Sequence, residues 1–134
     1  MGILSESGPA AERLDREDVG WVTTVTAGGQ PQSTPVWFVV RDDAINLQSQ
    51  PHAPKVANVR ANRKVSFHLN GESGDIVTIE GDAEVLDAPA PGVLDGYRAK
   101  YETAIREYLR STPEKTIEEY RTPIRITPRR IRVY

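Results

Sequence analysis

The strongest constraint on the fold is a series of strand-like segments joined by turns of only a few residues. Residues 21–26 are rich in Val and Thr and show the alternation of a strand, and residues 32–41 and 44–49 give a second and a third. The adjacent glycines Gly28 and Gly29 supply the positive φ angles of a tight turn. Asp42 and Asp43 make the next connection. Connections this short force neighbouring strands to run antiparallel, so the sequence predicts an antiparallel meander.

The later segments add further strands and several helices. The other predicted strands are residues 64–69, residues 76–86 and residues 124–133. The second of these is expected to be interrupted at Gly81 and Asp82 by a bulge or a close approach of another backbone, and the third to break at Pro128. The predicted helices are residues 8–18, 54–62 and 93–110, and a short helix that Thr112 caps, Pro113 begins and Pro123 ends. Residues 70–75 are a predicted loop. We therefore expect an α+β fold of about six strands around a small antiparallel barrel, in a single domain of residues 1–134.

Composition and charge argue against several classes of partner. The 17 basic and 19 acidic residues give a formal net charge of −2, so no electrostatic feature favours nucleic acid. The longest apolar run, residues 36–40, is far too short to span a bilayer, and the first residues lack the features of a signal peptide. We expect a cytoplasmic protein with no membrane partner.

The residue types that carry most enzyme chemistry are scarce. The chain has no cysteine, which excludes disulfides, thiolate metal sites and thiol redox chemistry. The two histidines, His52 and His68, lack the spacing of metal ligands, so no metal site is predicted. The Gly-x-Ser-x-Gly pattern of nucleophilic hydrolases is not present. If the chain is an enzyme, we expect a cofactor to supply the reactive group, and no catalytic residue is assigned.

The segment from Ser49 to Val59 has the features of an anion-binding helix start. Pro54 suits the first helical position, and Ala53 before it has no side-chain oxygen to cap the first backbone N–H groups. Lys55 lies in the same turn, so open amides, the positive end of the helix dipole and an ammonium group come together. The segment is equally compatible with a solvated turn that carries a surface lysine.

The spacing within this helix predicts the direction of its side chains. Lys55 and Asn58 are three residues apart and are expected to project outward from one face. Val56 and Val59 have the same spacing on another face and are expected to anchor the helix on the barrel. The helix would then offer two polar groups to a phosphate.

Four segments in this order resemble the split β-barrel flavin-binding superfamily, which includes the pyridoxamine 5′-phosphate oxidases. They are the hairpin of residues 20–38 with Thr34-Pro35-Val36-Trp37-Phe38, the phosphate segment 49–65 with Pro54-Lys55, the strand 77–85, and the closing strand 123–131. The resemblance extends from about residue 12 onward. It implies a six- to seven-stranded antiparallel Greek-key split barrel, FMN-binding-like, with flanking helices. It also implies a homodimer with cofactor sites at the interface.

Within that superfamily the chain most resembles the actinobacterial oxidoreductases that use the deazaflavin coenzyme F420. The compact length and the combination of residues 35–38 with Pro54-Lys55 carry this resemblance. It implies that the segment Gln32, Ser33, Thr34, Pro35, Val36 and Trp37 lines the ring system, and that Ser49, Gln50, Lys55 and Asn58 hold the phosphate. Arg60 would attract the negatively charged tail, or simply be a solvated cation at the helix end.

Two departures from the pyridoxamine 5′-phosphate oxidases refine the expected function. The chain ends at Tyr134 without their C-terminal Trp-Arg pair, so vitamin B6 oxidation is not expected. Residues 48–50 stand where FMN sites of the family usually have an arginine, which favours the deazaflavin over FMN. We expect hydride transfer between F420 and an electron-poor organic substrate, such as a conjugated alkene, an enone or a quinone-like ring. The alternatives are an FMN-dependent reductase of the same fold and a non-catalytic cofactor- or haem-binding protein, for which His52 is the supporting residue.

Overall fold

The computed structural model describes residues 2–71 and 75–134, so residues 72–74 of the predicted loop lie outside the described residues. The helices are α1 (Pro9–Arg16), α2 (Pro54–Ala61), α3 (Val93–Glu107) and α4 (Pro113–Glu119). The strands are β1 (Gly20–Val25), β2 (Pro31–Val36), β3 (Phe38–Arg41), β4 (Ala44–Ser49), β5 (Lys64–Leu69), β6 (Val77–Val85) and β7 (Thr122–Val133). No helix in the described part of the chain is long and apolar enough to cross a membrane.

All seven strands form one sheet, in the order β2-β1-β5-β6-β7-β4-β3, and every neighbouring pair is antiparallel. The two edge strands β2 and β3 are consecutive in the sequence, with Trp37 alone between them. The sheet must therefore curl until its two edges meet at Trp37. The α+β split-barrel fold is confirmed, and the strand predicted over residues 32–41 is divided in two because its two halves pair with different neighbours.

The predicted bulge at Gly81 is confirmed, whereas the predicted break at Pro128 is wrong. Gly81 pairs with Pro128 and Glu80 pairs with Arg130, so Arg129 is an extra residue in β7 and the strand continues through it. A bulge is one of the places where a strand accepts proline. A Cβ atom at Gly81 would lie 2.7 Å from the Thr127 carbonyl oxygen, so the close approach of the strands here requires glycine.

The interior of the barrel is an apolar cluster formed by alternate residues of the strands. In β5, for example, Val65, Phe67 and Leu69 are buried, as the alternation predicts. Val56 and Val59 of α2 belong to the same cluster, which confirms them as the anchors of that helix. The cap of α4 is also confirmed, since the Thr112 side chain accepts a hydrogen bond from the Lys115 backbone N–H at 3.3 Å.

A second, smaller cluster lies outside the barrel, where α3 packs on β3. It contains Val39, Tyr97, Tyr101 and Ile105, with Trp37 packed against it. The predicted helix over residues 93–110 ends earlier, at Glu107, so Tyr108 and Leu109 fall outside its buried face and are 82% and 49% exposed. This second cluster fixes α3 beside the junction of β2 and β3.

Candidate functional site

A pocket of about 300 Å³ opens beside the β2–β3 junction, between α2, α3 and α4. Its walls are mainly apolar and aromatic, with a few polar side chains. The lining residues are Val19, Pro35, Val36, Trp37, Gln48, Lys55, Tyr97, Leu109, Thr116 and Tyr120. An apolar pocket with a small number of polar groups is the usual form of a small-molecule site.

Trp37 forms an aromatic wall of this pocket, and α3 holds it in place. Its ring stacks on the Tyr101 ring with centroids 4.5 Å apart and planes 6° from parallel. Tyr97, tilted against Tyr101 at 5.1 Å, extends the aromatic cluster and also lines the pocket. Burial raises the pKa of both tyrosines above the ordinary value, so they stay neutral hydroxyls at any physiological pH. The wall is therefore rigid, aromatic and uncharged.

Lys55 supplies the positive charge of the pocket. It lies in the first turn of α2, where Ala53 gives no side-chain cap. None of the ion pairs between described residues includes Lys55, and its side chain is half-buried. Burial lowers its pKa below the ordinary 10.5, the expected effect of desolvating an ammonium group. Pro54 has no N–H and the Val56 N–H donates to the Ala53 carbonyl oxygen at 3.0 Å, so the Lys55 ammonium is the main group at this helix start that is suited to bind a phosphate or carboxylate.

Gln48 places a neutral polar group in the same wall, at the end of β4. Its Nε2 donates to the Tyr120 carbonyl oxygen at 3.0 Å. Its Oε1 is buried and has no hydrogen-bond partner among the described residues. The pocket wall therefore combines a cation and an aromatic surface, with the unpaired amide oxygen of Gln48 buried behind it.

The prediction that Asn58 projects outward with Lys55 is wrong. Asn58 is 7% exposed, and its Nδ2 donates to Thr24 Oγ1 and to Gln32 Oε1, each at 2.9 Å. Polar groups of β1 and β2 face the helix at this point, and the amide of Asn58 satisfies both. Asn58 thus ties α2 to the sheet, in addition to Val56 and Val59, rather than facing the pocket.

The structure brings part of the predicted set together. Pro35, Val36, Trp37 and Lys55 line the pocket. The predicted residues that do not line it are Gln32, Ser33, Thr34, Ser49, Gln50, Asn58 and Arg60. Ser49 is buried and donates to the carbonyl of Gln50, whose own amide reaches Glu119 at 3.0 Å, while Arg60 is exposed at the end of α2. A role for these residues in cofactor binding stays a prediction.

Several lining residues were not predicted from the sequence. Gln48 stands next to the predicted Ser49, so the strand-to-helix segment gave a partial signal for it. Thr116 and Tyr120 belong to α4 and its end, more than sixty residues from Lys55 along the chain, and no local pattern marks them. His52, the residue that supported the haem alternative, is exposed and does not line the pocket.

A family model described as pyridoxamine 5′-phosphate oxidase matches residues 9–134. The chain belongs to this family. Membership covers nearly the whole sequence and agrees with the split-barrel fold. A search of curated proteins gave no match.

Solved structures show the same fold at low sequence identity. The conserved hypothetical protein Rv2991 from Mycobacterium tuberculosis has a TM-score of 0.71 and 23% identity, covering 96% of this chain and 84% of that one. HutZ, a haem storage protein from Vibrio cholerae, has a TM-score of 0.72 and 16% identity, covering 94% and 93%. An F420 reductase has a TM-score of 0.61 and 18% identity, covering 90% and 94%. The fold therefore serves both a reductase and a haem-binding protein.

Proposed function

We propose that this protein is an oxidoreductase that binds coenzyme F420 in the pocket beside the β2–β3 junction. The observation that carries the proposal is the position of Lys55, an unpaired cation at an uncapped helix start in an aromatic pocket. The similarity to an F420 reductase supports the same conclusion. Lys55 would hold the phosphate, and Pro35, Val36 and Trp37 would contact the ring system.

The size and chemistry of the pocket suit the ring part of such a cofactor. Its volume of about 300 Å³ is at the lower end of small-molecule sites, so the ring system fits inside while the phosphate and tail extend out past Lys55. The half-buried ammonium of Lys55, which forms no ion pair with a described residue, is complementary to an anionic group of the ligand. The pocket lining therefore fits the cofactor, with aromatic walls for the ring and Lys55 for the phosphate.

The chain would contribute orientation and a dry environment. When bound, a deazaflavin gives or accepts a hydride. Trp37, stacked on Tyr101, fixes the plane against which a ring can lie. The apolar walls keep water away from the ring, and positioning alone can supply much of the rate. No lining side chain is assigned as a proton donor, so solvent delivers the proton to the electron-poor substrate, such as an enone or a quinone-like ring.

The active form is a homodimer with the cofactor sites at the interface. Tyr108 and Leu109 lie at the end of α3, and both are exposed although apolar. Leu109 also lines the pocket, so a second copy that covers these residues would close its mouth. Sedimentation of wild type against Tyr108→Glu tests this part, since the charge should dissociate the dimer. A wild-type monomer that binds the cofactor would refute it.

The first experiment is a titration of apo protein with F420, FMN and FO, followed by cofactor fluorescence. FO is the deazaflavin riboside that lacks the phosphate and the tail. Lys55→Ala should weaken F420 binding about ten- to a hundredfold, since charge-assisted contacts contribute roughly 1.5–3 kcal/mol, and should leave FO binding unchanged. Lys115→Ala, an exposed lysine outside the pocket lining, is the matched control.

The outcomes separate the candidate functions. Unchanged F420 affinity in Lys55→Ala would show that the phosphate site is wrong. Tighter binding of FMN than of F420 would make the protein an FMN reductase of the same fold. The similarity to HutZ favours haem as a second candidate, which needs an axial ligand such as His52. A Soret band that forms with the wild type and is lost in His52→Ala would support that candidate.

A further inference from the structure

Lys55 is the only charged residue among the described residues that line the pocket, so the lining brings no carboxylate to neutralise it. Its ammonium forms no ion pair or hydrogen bond with any other residue among 2–71 and 75–134. Its pKa is lowered by burial, which means that Nζ itself is partly removed from water. The nitrogen therefore lies against an apolar and aromatic wall, with no neighbour that stabilises its protonated form.

A lysine in such surroundings becomes a nucleophile once it loses its proton. Desolvation favours the neutral amine, whose lone pair is the form that attacks a carbonyl carbon. The pocket volume of about 300 Å³ admits a small ring beside this nitrogen. Trp37, which is held by its stack on Tyr101, offers a flat face on which such a ring can lie. The two features together favour an aromatic ligand that carries an electrophilic carbon.

We propose that Lys55 is a site of reversible covalent binding, at which Nζ condenses with an aromatic aldehyde that occupies the pocket. The ammonium first loses a proton to solvent. The nitrogen then bonds to the aldehyde carbon, the carbonyl oxygen leaves as water, and a C=N bond replaces the C=O bond, with no oxidation or reduction. This inference goes beyond the proposed function, because it concerns the pocket before a cofactor occupies it. A phosphate bound at Lys55 would keep the nitrogen protonated and block the reaction.

The other three lysines of the chain provide an internal comparison. Burial lowers the pKa of Lys100 to about 8, but its Nζ donates to the Phe38 carbonyl oxygen at 3.0 Å and the residue does not line the pocket. Lys64 forms an ion pair, and Lys115 is exposed. If a lowered pKa alone governed the reaction, Lys100 would react first. If the pocket governs it, Lys55 reacts first.

The test treats the apo protein with benzaldehyde and cyanoborohydride, which reduces an imine to a stable amine, and locates the adducts by peptide mass spectrometry. We expect Lys55 to be labelled roughly fivefold or more faster than Lys115, because the ring of the reagent gains a stacking contact in the pocket. Propanal is the matched reagent without a ring, and with it the preference should be much smaller. Unfolding in urea should abolish the preference.

Labelling of Lys55 no faster than that of Lys115, or labelling led by Lys100, would overturn the proposal, as would an equal preference with propanal. Wild type alone gives these results, so no variant has to fold. F420 added before benzaldehyde distinguishes this proposal from the proposed function. Protection of Lys55 by F420 would support both, whereas labelling that F420 does not reduce would support the imine and refute the proposed phosphate site.

Discussion

Replacing Tyr101 with Phe removes one oxygen atom from the contact that holds the β2–β3 junction. The Tyr101 hydroxyl accepts a hydrogen bond from the Phe38 backbone N–H at 2.9 Å and donates to the Asp18 carbonyl at 2.7 Å. The residue is fully buried, so water cannot take the place of the lost oxygen. The aromatic ring that stacks on Trp37 is retained, and the substitution therefore tests the hydroxyl alone.

The expected loss of stability follows from the groups left without partners. The Phe38 N–H becomes a buried, unsatisfied donor, which costs about 1–3 kcal/mol. The Phe38 carbonyl keeps its hydrogen bond from Lys100 Nζ at 3.0 Å. Asp18 is exposed, so water can replace the hydroxyl at its carbonyl and this loss adds little. We expect the free energy of unfolding to fall by about 1–3 kcal/mol.

Urea unfolding followed by far-UV circular dichroism measures this difference, at one protein concentration so that any self-association contributes equally. Tyr134→Phe is the matched control, because it removes the same atom from a residue that is 69% exposed and lies outside the proposed dimer interface. Its effect should stay within about 0.5 kcal/mol, as for other surface substitutions. If Tyr101→Phe costs no more than this control, the hydroxyl does not hold the junction and the reasoning is refuted.

Three further substitutions test other parts of the fold. Burial lowers the pKa of Lys100 from 10.5 to about 8, so the unfolded chain binds more protons between these values; the free energy of unfolding in urea should rise with pH across this window in wild type, and more steeply than in Lys100→Met. Arg110 has a φ of 50°, the left-handed region where a helix often ends on glycine, so Arg110→Gly should stabilise the fold by roughly 0.5–1 kcal/mol, and a lower melting temperature would contradict this. Gly81→Ala would bring a Cβ within 2.7 Å of the Thr127 carbonyl oxygen and should cost about 1–3 kcal/mol, whereas an unchanged melting temperature would show that the strands can separate there.

The strands could be predicted because one face of each is buried and the side-chain period of a strand is fixed. Val65, Phe67 and Leu69 alternate with polar residues, and the structure buries the same three. The bulge could be predicted from Gly81, since a glycine inside such a pattern marks a close approach of backbones. The break predicted at Pro128 does not occur because the effect of a proline depends on its register against the neighbouring strand, and Gly81 lies directly opposite it.

The site could be predicted only where a local pattern carries the chemistry. Lys55 was found because a helix start without a cap can be recognised from consecutive residues. The direction in which the Asn58 side chain points could not be predicted from the sequence, because its partners Thr24 and Gln32 lie in strands that are distant along the chain. The wall formed by α4 likewise depends on how that helix packs against the rest of the domain.

The pocket and the closure of the sheet have a common origin at Trp37. The strands on either side of this residue pair with opposite ends of the sheet, so the ladder of backbone hydrogen bonds is interrupted there. Side chains of α3 replace the missing backbone partners. The Tyr101 hydroxyl accepts a hydrogen bond from the Phe38 N–H, and the Tyr97 hydroxyl lies 3.4 Å from the Trp37 carbonyl oxygen. The same interruption leaves a hollow that no strand fills, with Trp37 as its wall. A substitution that weakens the junction should therefore alter ligand affinity as well as stability, because one set of contacts positions both.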